Sequence, residues 1–465
     1  MGGMRVLAGS AALAFVTAWS GAATPVFADT IEAALVRAYQ TNPQLNAQRA
    51  AVRATDENVP QALSGFRPKV AVTASGGYQY TDATQGAPGS PGQTLRGAQA
   101  PAALGATVSQ TLFDGFQTSN RTRAAEGQVS ASREGLRVLE QTVLLSAATI
   151  YMDYLRDSAI VEVQRSNVRV LEEPLKQTRD RFNVGEVTRT DVAQSQAQLA
   201  AGRTQLMTAE SNLTTTRANF RRIVGNEPGQ LAPGSPVDRF FPTTLAGSVD
   251  LSLTQNPNVT AAMYGIDVSH LQVKVAEGAL FPTVSLQANV QQGYAQHLTM
   301  QKQFFASAIA QVTVPIYQGG AEYALIRQSK ETLAQQRLTL EQVRDQTRAS
   351  VVQAWGQLVA GKSQVASAQA QVEASEIAVN GIREEAKAGQ RTTFDVLNAQ
   401  QTLVNARVAL VTAQHDRVVA SYAVLNAVGR LSPQVLKLNT TVYDPSVHYH
   451  QVRDSWAGVR TPSGQ

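Results

Sequence analysis

The feature that most constrains this chain is that it is written twice. The phrase VGEVTRTDV at 184–192 returns as AGQRTTFDV at 388–396, so that Gly185 and Gly389, Thr188 and Thr392, and Asp191 and Asp395 each stand 204 residues apart. The same offset relates VSQTLFDG at 108–115 to VTVPIYQG at 312–319, and Ile223-Val224-Gly225 to Ala427-Val428-Gly429, with no gap between them. Upstream, Asn42-Pro43 matches Asn256-Pro257 and Pro68 matches Pro282 at an offset of 214, so the first copy carries ten additional residues. Those fall in TDATQGAPGSPGQTLRGAQA at 81–100, whose Gly, Pro and Ala predict a loop. Two large copies mean a duplicated unit, not a short-period solenoid.

Within each copy the hydrophobic period is seven. Ala147, Tyr154, Val161, Val168, Leu175 and Phe182 are matched by Val351, Leu358, Val365, Val372, Val379 and Ala386. After each glycine turn the period resumes with Val192, Leu199, Leu206, Leu213 and Phe220, and with Val396, Leu403, Leu410 and Val424, Arg417 interrupting the second series. Sustained heptads predict coiled-coil packing. Helices over 117–184 and 321–388 would each be roughly 100 Å long at about 1.5 Å per residue, too long for a compact domain. Shorter helices at 43–66 and 257–280 are placed to stack end to end with the returning ones.

Ahead of each long helix the period drops to two. Val70, Val72, Ala74, Gly76, Tyr78 and Tyr80 alternate with polar or small residues, as do Val284, Leu286, Ala288 and Val290. The partner strands, about 103–113 and 306–317, set Val108, Leu112, Val312, Val314 and Ile316 against Ser109, Thr111, Gln311 and Thr313. Such alternation suits either a half-buried sandwich or a transmembrane barrel. Four strands cannot close a barrel, and lipid tolerates no open edge, so a barrel reading requires several chains.

Composition narrows the function. The chain has no cysteine, which excludes disulfides, thiolate metal sites and a lipidated N-terminal cysteine. The net charge of +5 is scattered over helix faces, and neither basic clusters nor stacking aromatics point to nucleic acid. None of His270, His297, His415, His448 and His450 has metal-binding or triad spacing, so no catalytic residue, metal or cofactor is expected; His448-Tyr449-His450 reads as part of a polar tail. MGGMR, an apolar run from Val6 to Trp19, and Val26-Phe27-Ala28 form a secretory signal peptide.

With the duplication, the strand pairs and Gly-x-x-Thr-x-x-Asp-Val in both copies, the chain resembles the TolC family of outer-membrane export channels. RDRFNVGEVTRTDVAQSQAQLA and SQTLFDGFQT are most similar to the type I secretion branch. The resemblance implies a mostly α fold with transmembrane β: a homotrimer whose strands make a 12-stranded barrel in outer-membrane lipid, continuous with a periplasmic α-helical barrel. It implies an exit duct for type I secretion or multidrug efflux, partnered by a periplasmic adaptor and an inner-membrane ABC or proton-driven transporter. The division expected is signal peptide 1–28, first repeat 29–242, second repeat 243–430, and a tail 431–465 in an equatorial region or disordered. That equatorial region would also take in 29–42 and 226–256. The competing reading is a structural or adhesive periplasmic coiled-coil protein without a pore, which would leave the strands without a purpose.

The resemblance also assigns residues. Gly185, Thr188, Gly389 and Thr392 would form the adaptor-docking tips. Asp395 would ring the pore constriction, together with the position of Asn398, where the family carries a second acid. Arg391, paired with Asp191, would help hold the gate. Beside these stand plainer readings: the glycines end helices, the threonines N-cap their successors, Asp191 and Asp395 complete capping boxes, and Arg391 is a solvated tip residue.

Overall fold

The computed structural model describes residues 29–462 except 87 and 90, so the expected signal peptide lies outside the described residues. The first copy runs α1 (Ile31–Thr41), α2 (Pro43–Asp56), α3 (Asn58–Leu63), β1 (Lys69–Gly76), β2 (Gln79–Gln85), β3 (Gln93–Gln99), β4 (Ala102–Phe113), α4 (Gln117–Asn183) and α5 (Arg189–Val224). The second runs α6 (Leu245–Gln255), α7 (Pro257–Gly278), β5 (Thr283–His297), β6 (Met300–Thr313), α8 (Ala321–Lys387) and α9 (Thr393–Ala427), and α10 (Ser446–Val452) lies in the tail. The two long helices, α4 and α8, have 67 residues each.

The duplicated Asn-Pro steps explain how short helices extend the returning ones. Asn42 Oδ1 accepts from the N–H groups of Gln44 and Leu45, capping α2, while its Nδ2 donates to the Ile223 carbonyl at the end of α5. Asn256 does the same for α7, its Nδ2 donating to the Ala427 carbonyl at 2.9 Å at the end of α9. Each proline sits at the first helical position, where its missing N–H costs nothing. One side chain thus satisfies the orphan groups of two helix ends and splices them.

The heptads pack, but along two seams. One carries the large residues read from the sequence, including Val161, Val168, Leu175, Val351 and Leu358. The other is made of smaller residues at the same period: Thr347, Ala354, Gly361, Ala368 and Ser375 are buried on α8, and Ser195, Gly202, Ala209 and Thr216 on α5. A Cβ on Gly361 would lie 3.4 Å from the Arg417 Cα, and one on Gly202 would lie 2.9 Å from Leu171 Cδ1. Small residues let the helices approach closely, and hydrophobicity alone does not mark them.

The sheet is antiparallel in the order β1-β4-β5-β6, and among the described residues the outer edges of β1 and β6 have no partner strand. In-register rows such as Val72, Ala106, Val290 and Ala306 form an apolar face, and Thr73, Gly105, Gln291 and Ser285 lie on the opposite one. The alternation fails at Phe305 and Ile309, which share the polar face opposite Gln291 and Gln287. Strand β6 ends at Thr313, so Val314 and Ile316 fall beyond it; Pro315, without an N–H, cannot extend the ladder. Every residue of β1 is exposed, and Val72 retains 72% of its surface: this is one layer with neither face covered by its own chain.

The expected loop at 81–100 is mostly paired. β2 and β3 form a second antiparallel ladder from Gln79↔Gln99 to Gln85↔Gln93, leaving only 86–92 as connection. Arg96 Nε donates to Asp82 at 2.8 Å across the strands. Gly, Pro and Ala misled because cross-strand partners, which composition does not register, hold the segment extended.

Midway along the rods lies the main core. Ile31, Leu35 and Tyr39 of α1, Val237 and Phe241 of the linker, and Leu431, Leu436 and Leu438 of the tail join Tyr151, Leu358, Tyr422 and Leu425 in one cluster. The Tyr151 hydroxyl lies 2.7 Å from the Asp29 carbonyl and 2.6 Å from that of Ala232, fastening the N-terminal segment and linker together. Arg417, which interrupts the heptad of α9, forms an ion pair with Asp238 through both guanidinium ends, and Lys362 adds a third contact at 3.1 Å. Burial works against the Asp238 charge, but these two cations outweigh it and hold its carboxyl below the usual range.

Candidate functional site

At the far end of each hairpin the chain reverses in the same way. Gly185 takes φ +82° and Gly389 φ +78°. The Glu186 N–H donates to the Arg181 carbonyl, and the Gln390 N–H to the Glu385 carbonyl, each at 2.9 Å, closing a Schellman end. Nothing lies within 4 Å of a Cβ built on either glycine, so the left-handed backbone alone calls for glycine there.

The next residues start the returning helix with a full capping box. The Asp191 N–H donates to Thr188 Oγ1 at 3.3 Å, while Asp191 Oδ2 accepts from the Thr188 N–H at 2.9 Å and its hydroxyl at 2.8 Å. Thr392 and Asp395 repeat this at 3.2, 3.0 and 2.8 Å. Hydrogen bonds from the Thr188 hydroxyl and N–H hold the Asp191 carboxyl below its ordinary value; those from the Thr392 N–H and hydroxyl do the same for Asp395. Both are therefore anionic at neutral pH, beside the positive ends of two helices. Asn398, three residues beyond Asp395, is exposed.

The pairing of Arg391 with Asp191 is not formed within the chain. Arg391 Nε donates to Glu385 Oε2 at 2.9 Å inside its own tip, and the Asp191 carboxylate is held in its capping box. The resemblance named Arg391 but not Glu385, nor the matching pair in the first tip, Arg181 Nε to Glu186 at 2.9 Å.

Just behind the tips the hairpins meet. Leu397 of α9 is buried with Val168, Leu171 and Leu175 of α4 and Leu199 of α5. A cleft between α4 and the second hairpin is lined by Leu171, Pro174, Thr178, Arg383, Thr393 and Leu397. Only the assembled hairpins show this groove; the lone sequence signal is Pro174 inside a helical pattern. Among the described residues no group of His, Cys, Asp or Glu could hold a metal ion, and no helix is long and apolar enough to cross a membrane.

A single-layer sheet with open edges, fused to two hairpins far longer than any compact domain, defines one subunit of a membrane channel with a helical conduit. The family described as outer membrane efflux protein matches residues 34–226 and 249–430, and the chain belongs to it. The outer membrane efflux protein BepC of Brucella suis is 40% identical over 438 residues, 94% of this chain and 93% of that protein. The alkaline protease secretion protein AprF of Pseudomonas aeruginosa is 24% identical over 322 residues, 68% of this chain and 66% of that protein. Among solved structures, the Campylobacter jejuni CmeC outer membrane channel superposes with a TM-score of 0.77 at 18% identity, covering 91% of this chain and 89% of that one. The protein is thus an outer-membrane channel of the TolC type, acting as an exit duct.

Proposed function

We propose that three copies of this chain close one 12-stranded barrel in the outer membrane, and that their six hairpins form a periplasmic conduit. The observation that carries this is the sheet: it has two unpaired edges and an apolar face exposed at Val70, Val72, Leu104, Phe304 and Val312. In hydrocarbon an open edge leaves backbone groups unsatisfied, and four strands per chain reach closure only by repetition. The repeats divide at about 242 and 430, each contributing one strand pair and one tip.

The tips are where a periplasmic adaptor docks, through Gly185, Thr188, Gly389, Thr392 and the cleft behind them, coupling the duct to an inner-membrane ABC or proton-driven transporter. Asp395 faces the narrow end of the conduit as a ring of three carboxylates, and Asn398 leaves the next ring neutral, so cation preference is mild. The protein is a passage and performs no catalysis. Relatives named for efflux and for protease secretion support cargo of either kind, and the tip phrase of the first copy favours the type I secretion branch.

Native mass measurement of the detergent-extracted protein tests the assembly. A trimer is expected, and a stable monomer recovered from membranes would defeat the reading. Planar-bilayer recordings test the entrance: Asp395→Asn should weaken cation preference, and unchanged selectivity would remove Asp395 from the lining.

A further inference from the structure

The tail beyond Val428 does more than finish the core. After Leu438 it turns back along α2 and α4 toward the sheet. His448 Nδ1 meets the fully buried Asp56 Oδ2 at 3.0 Å, Arg133 lies 3.8 Å from the other oxygen, and the Arg133 guanidinium stands over the Tyr449 ring. Glu126 accepts from Arg453 at 3.2 Å, and Arg67 donates to the Ser455 carbonyl at 2.6 Å. Arg67 is two residues ahead of β1, so the tail is carried from the equatorial core to the end of the sheet where strands meet helices.

At that same end the chain leaves a band of apolar side chains uncovered: Phe66, Phe281, Ile316 and Tyr317, each within four residues of a strand end. Trp456 joins this band at 72% exposure, with the Arg67 guanidinium 4.8 Å from its ring centre. Val459 is fully exposed three residues on, and Arg453 and Arg460 of the tail, with Arg67 and Lys69 at the start of β1, add cations to this stretch of chain. A fold that pins a tail by four polar contacts and then holds a tryptophan in the open has placed it for something outside the chain. An exposed tryptophan with an arginine on its face is the chemistry of a bilayer interface, the indole at headgroup depth and cations near phosphates.

We infer that residues 453–460 form a membrane-surface anchor, seating Trp456 among the phospholipid headgroups of the periplasmic leaflet, with Asp56–His448 as the latch that delivers it there. The inference rests on the reading that the sheet spans the bilayer, since that fixes the depth of the apolar band.

The test is depth-dependent quenching in lipid nanodiscs of phosphatidylethanolamine and phosphatidylglycerol carrying doxyl-labelled phosphatidylcholine. Trp355, packed against Phe241, is the other tryptophan among the described residues, so the Trp456 signal is the difference between the parent and Trp456→Phe. Shallow labels should quench that difference about two-fold more than deep ones, and nanodiscs should shield it from acrylamide relative to the same protein unfolded in guanidinium. Val72→Trp in the Trp456→Phe background reports the sheet itself and should be quenched by deep labels. Trp456 open to acrylamide and untouched by lipid labels would overturn the anchor, as would protection from both, which would mean a neighbouring copy covers it. Quenching at Val72→Trp without quenching at Trp456 defeats the anchor alone; its absence at both defeats the bilayer-spanning sheet as well.

Discussion

Arg181 of α4 and Glu385 of α8 occupy equivalent positions 204 residues apart, and each holds its tip by an ion pair of 2.9 Å. The charges are exchanged, however: in the first tip the descending helix supplies the cation and the turn the anion, Glu186, while in the second the helix supplies the anion and the turn the cation, Arg391. The backbone is the same in both, because Schellman ends and capping boxes are dictated by glycine, threonine and aspartate. Duplication has kept the turn and freed the surface around it. In the proposed trimer, alternating tips would therefore present two different faces to an adaptor, which could tell one hairpin from the other.

The copies differ again where their returning helices end, and there the largest effect is expected. Gly225 and Gly429 both close a returning helix with positive φ, +95° and +87°. A Cβ on Gly429 would lie 2.5 Å from the Asn256 Cα and 3.0 Å from Pro257 Cδ, whereas one on Gly225 meets the Thr41 hydroxyl at 2.9 Å, a group that can rotate away. Gly429→Val should cost on the order of 3 kcal/mol or more, from overpacking against backbone added to the left-handed strain. Gly225→Val should cost about 1–2 kcal/mol, chiefly the strain. Recovery of detergent-resistant trimer measures both, and equal losses would show that the two splice points are interchangeable.

Pro174 lies inside α4, where its equivalent on α8 is the exposed Ala378. Proline forfeits one backbone hydrogen bond and crowds the carbonyl a turn earlier, so the lower third of the first hairpin should open more readily. Ala378→Pro should destabilise the second hairpin by about 3 kcal/mol locally, and Pro174→Ala should firm the first. Hydrogen exchange near 170–183 and 374–387 would then converge between the copies. No change in either would show that the proline is accommodated without loss.

A third difference is titratable. His415 of α9, which is Ser211 in the first copy, is buried with Nδ1 2.8 Å from Asp416 and Nε2 2.9 Å from Asp153, the latter in ion-pair range but off the line of a hydrogen bond. Burial opposes its charge, yet Asp153 and Asp416 outweigh burial and the nearby Arg156, holding the imidazolium above its ordinary value. Its contribution to stability is complete below about pH 6.5, the unfolded value, and is lost as pH rises through the higher folded one. The midpoint of chemical unfolding should therefore fall as pH climbs from about 6.5, and His415→Gln should flatten that slope. A slope unaltered in the variant would place the titration elsewhere.

The smallest effect concerns the tips themselves, whose ion pairs are exposed and screened. Arg391→Ser should raise resting conductance modestly. Combined with Glu385→Ser its effect should be less than additive, and with Asp191→Ala plainly additive, since Arg391 is partnered within its own turn. The reverse pattern would restore a contact between hairpins.

How much of this was legible follows from how far each contact reaches along the chain. The Gly-x-x-Thr-x-x-Asp turns, the Asn-Pro caps, the strands at β1 and β5 and the large-residue heptads are set by neighbours within a few residues, and period and residue type announce them. The β2–β3 hairpin was hidden because its partners lie across a loop whose Gly and Pro dominate the composition. The small-residue seam through Gly202 and Gly361 was legible only as a background of Ala, Ser and Thr, because a hydrophobic period cannot register which small residues meet a neighbouring helix. Arg417 looked like a fault in the heptad until Asp238, 179 residues away, came to meet it, and His448 looked like polar tail until its partner proved to be the buried Asp56. By itself the sequence determined a duplicated unit of strands, rods and turns. Only tertiary structure decided which face each rod shows, what the tail grips and where the sheet is left open, because burial and pairing are properties of segments brought together.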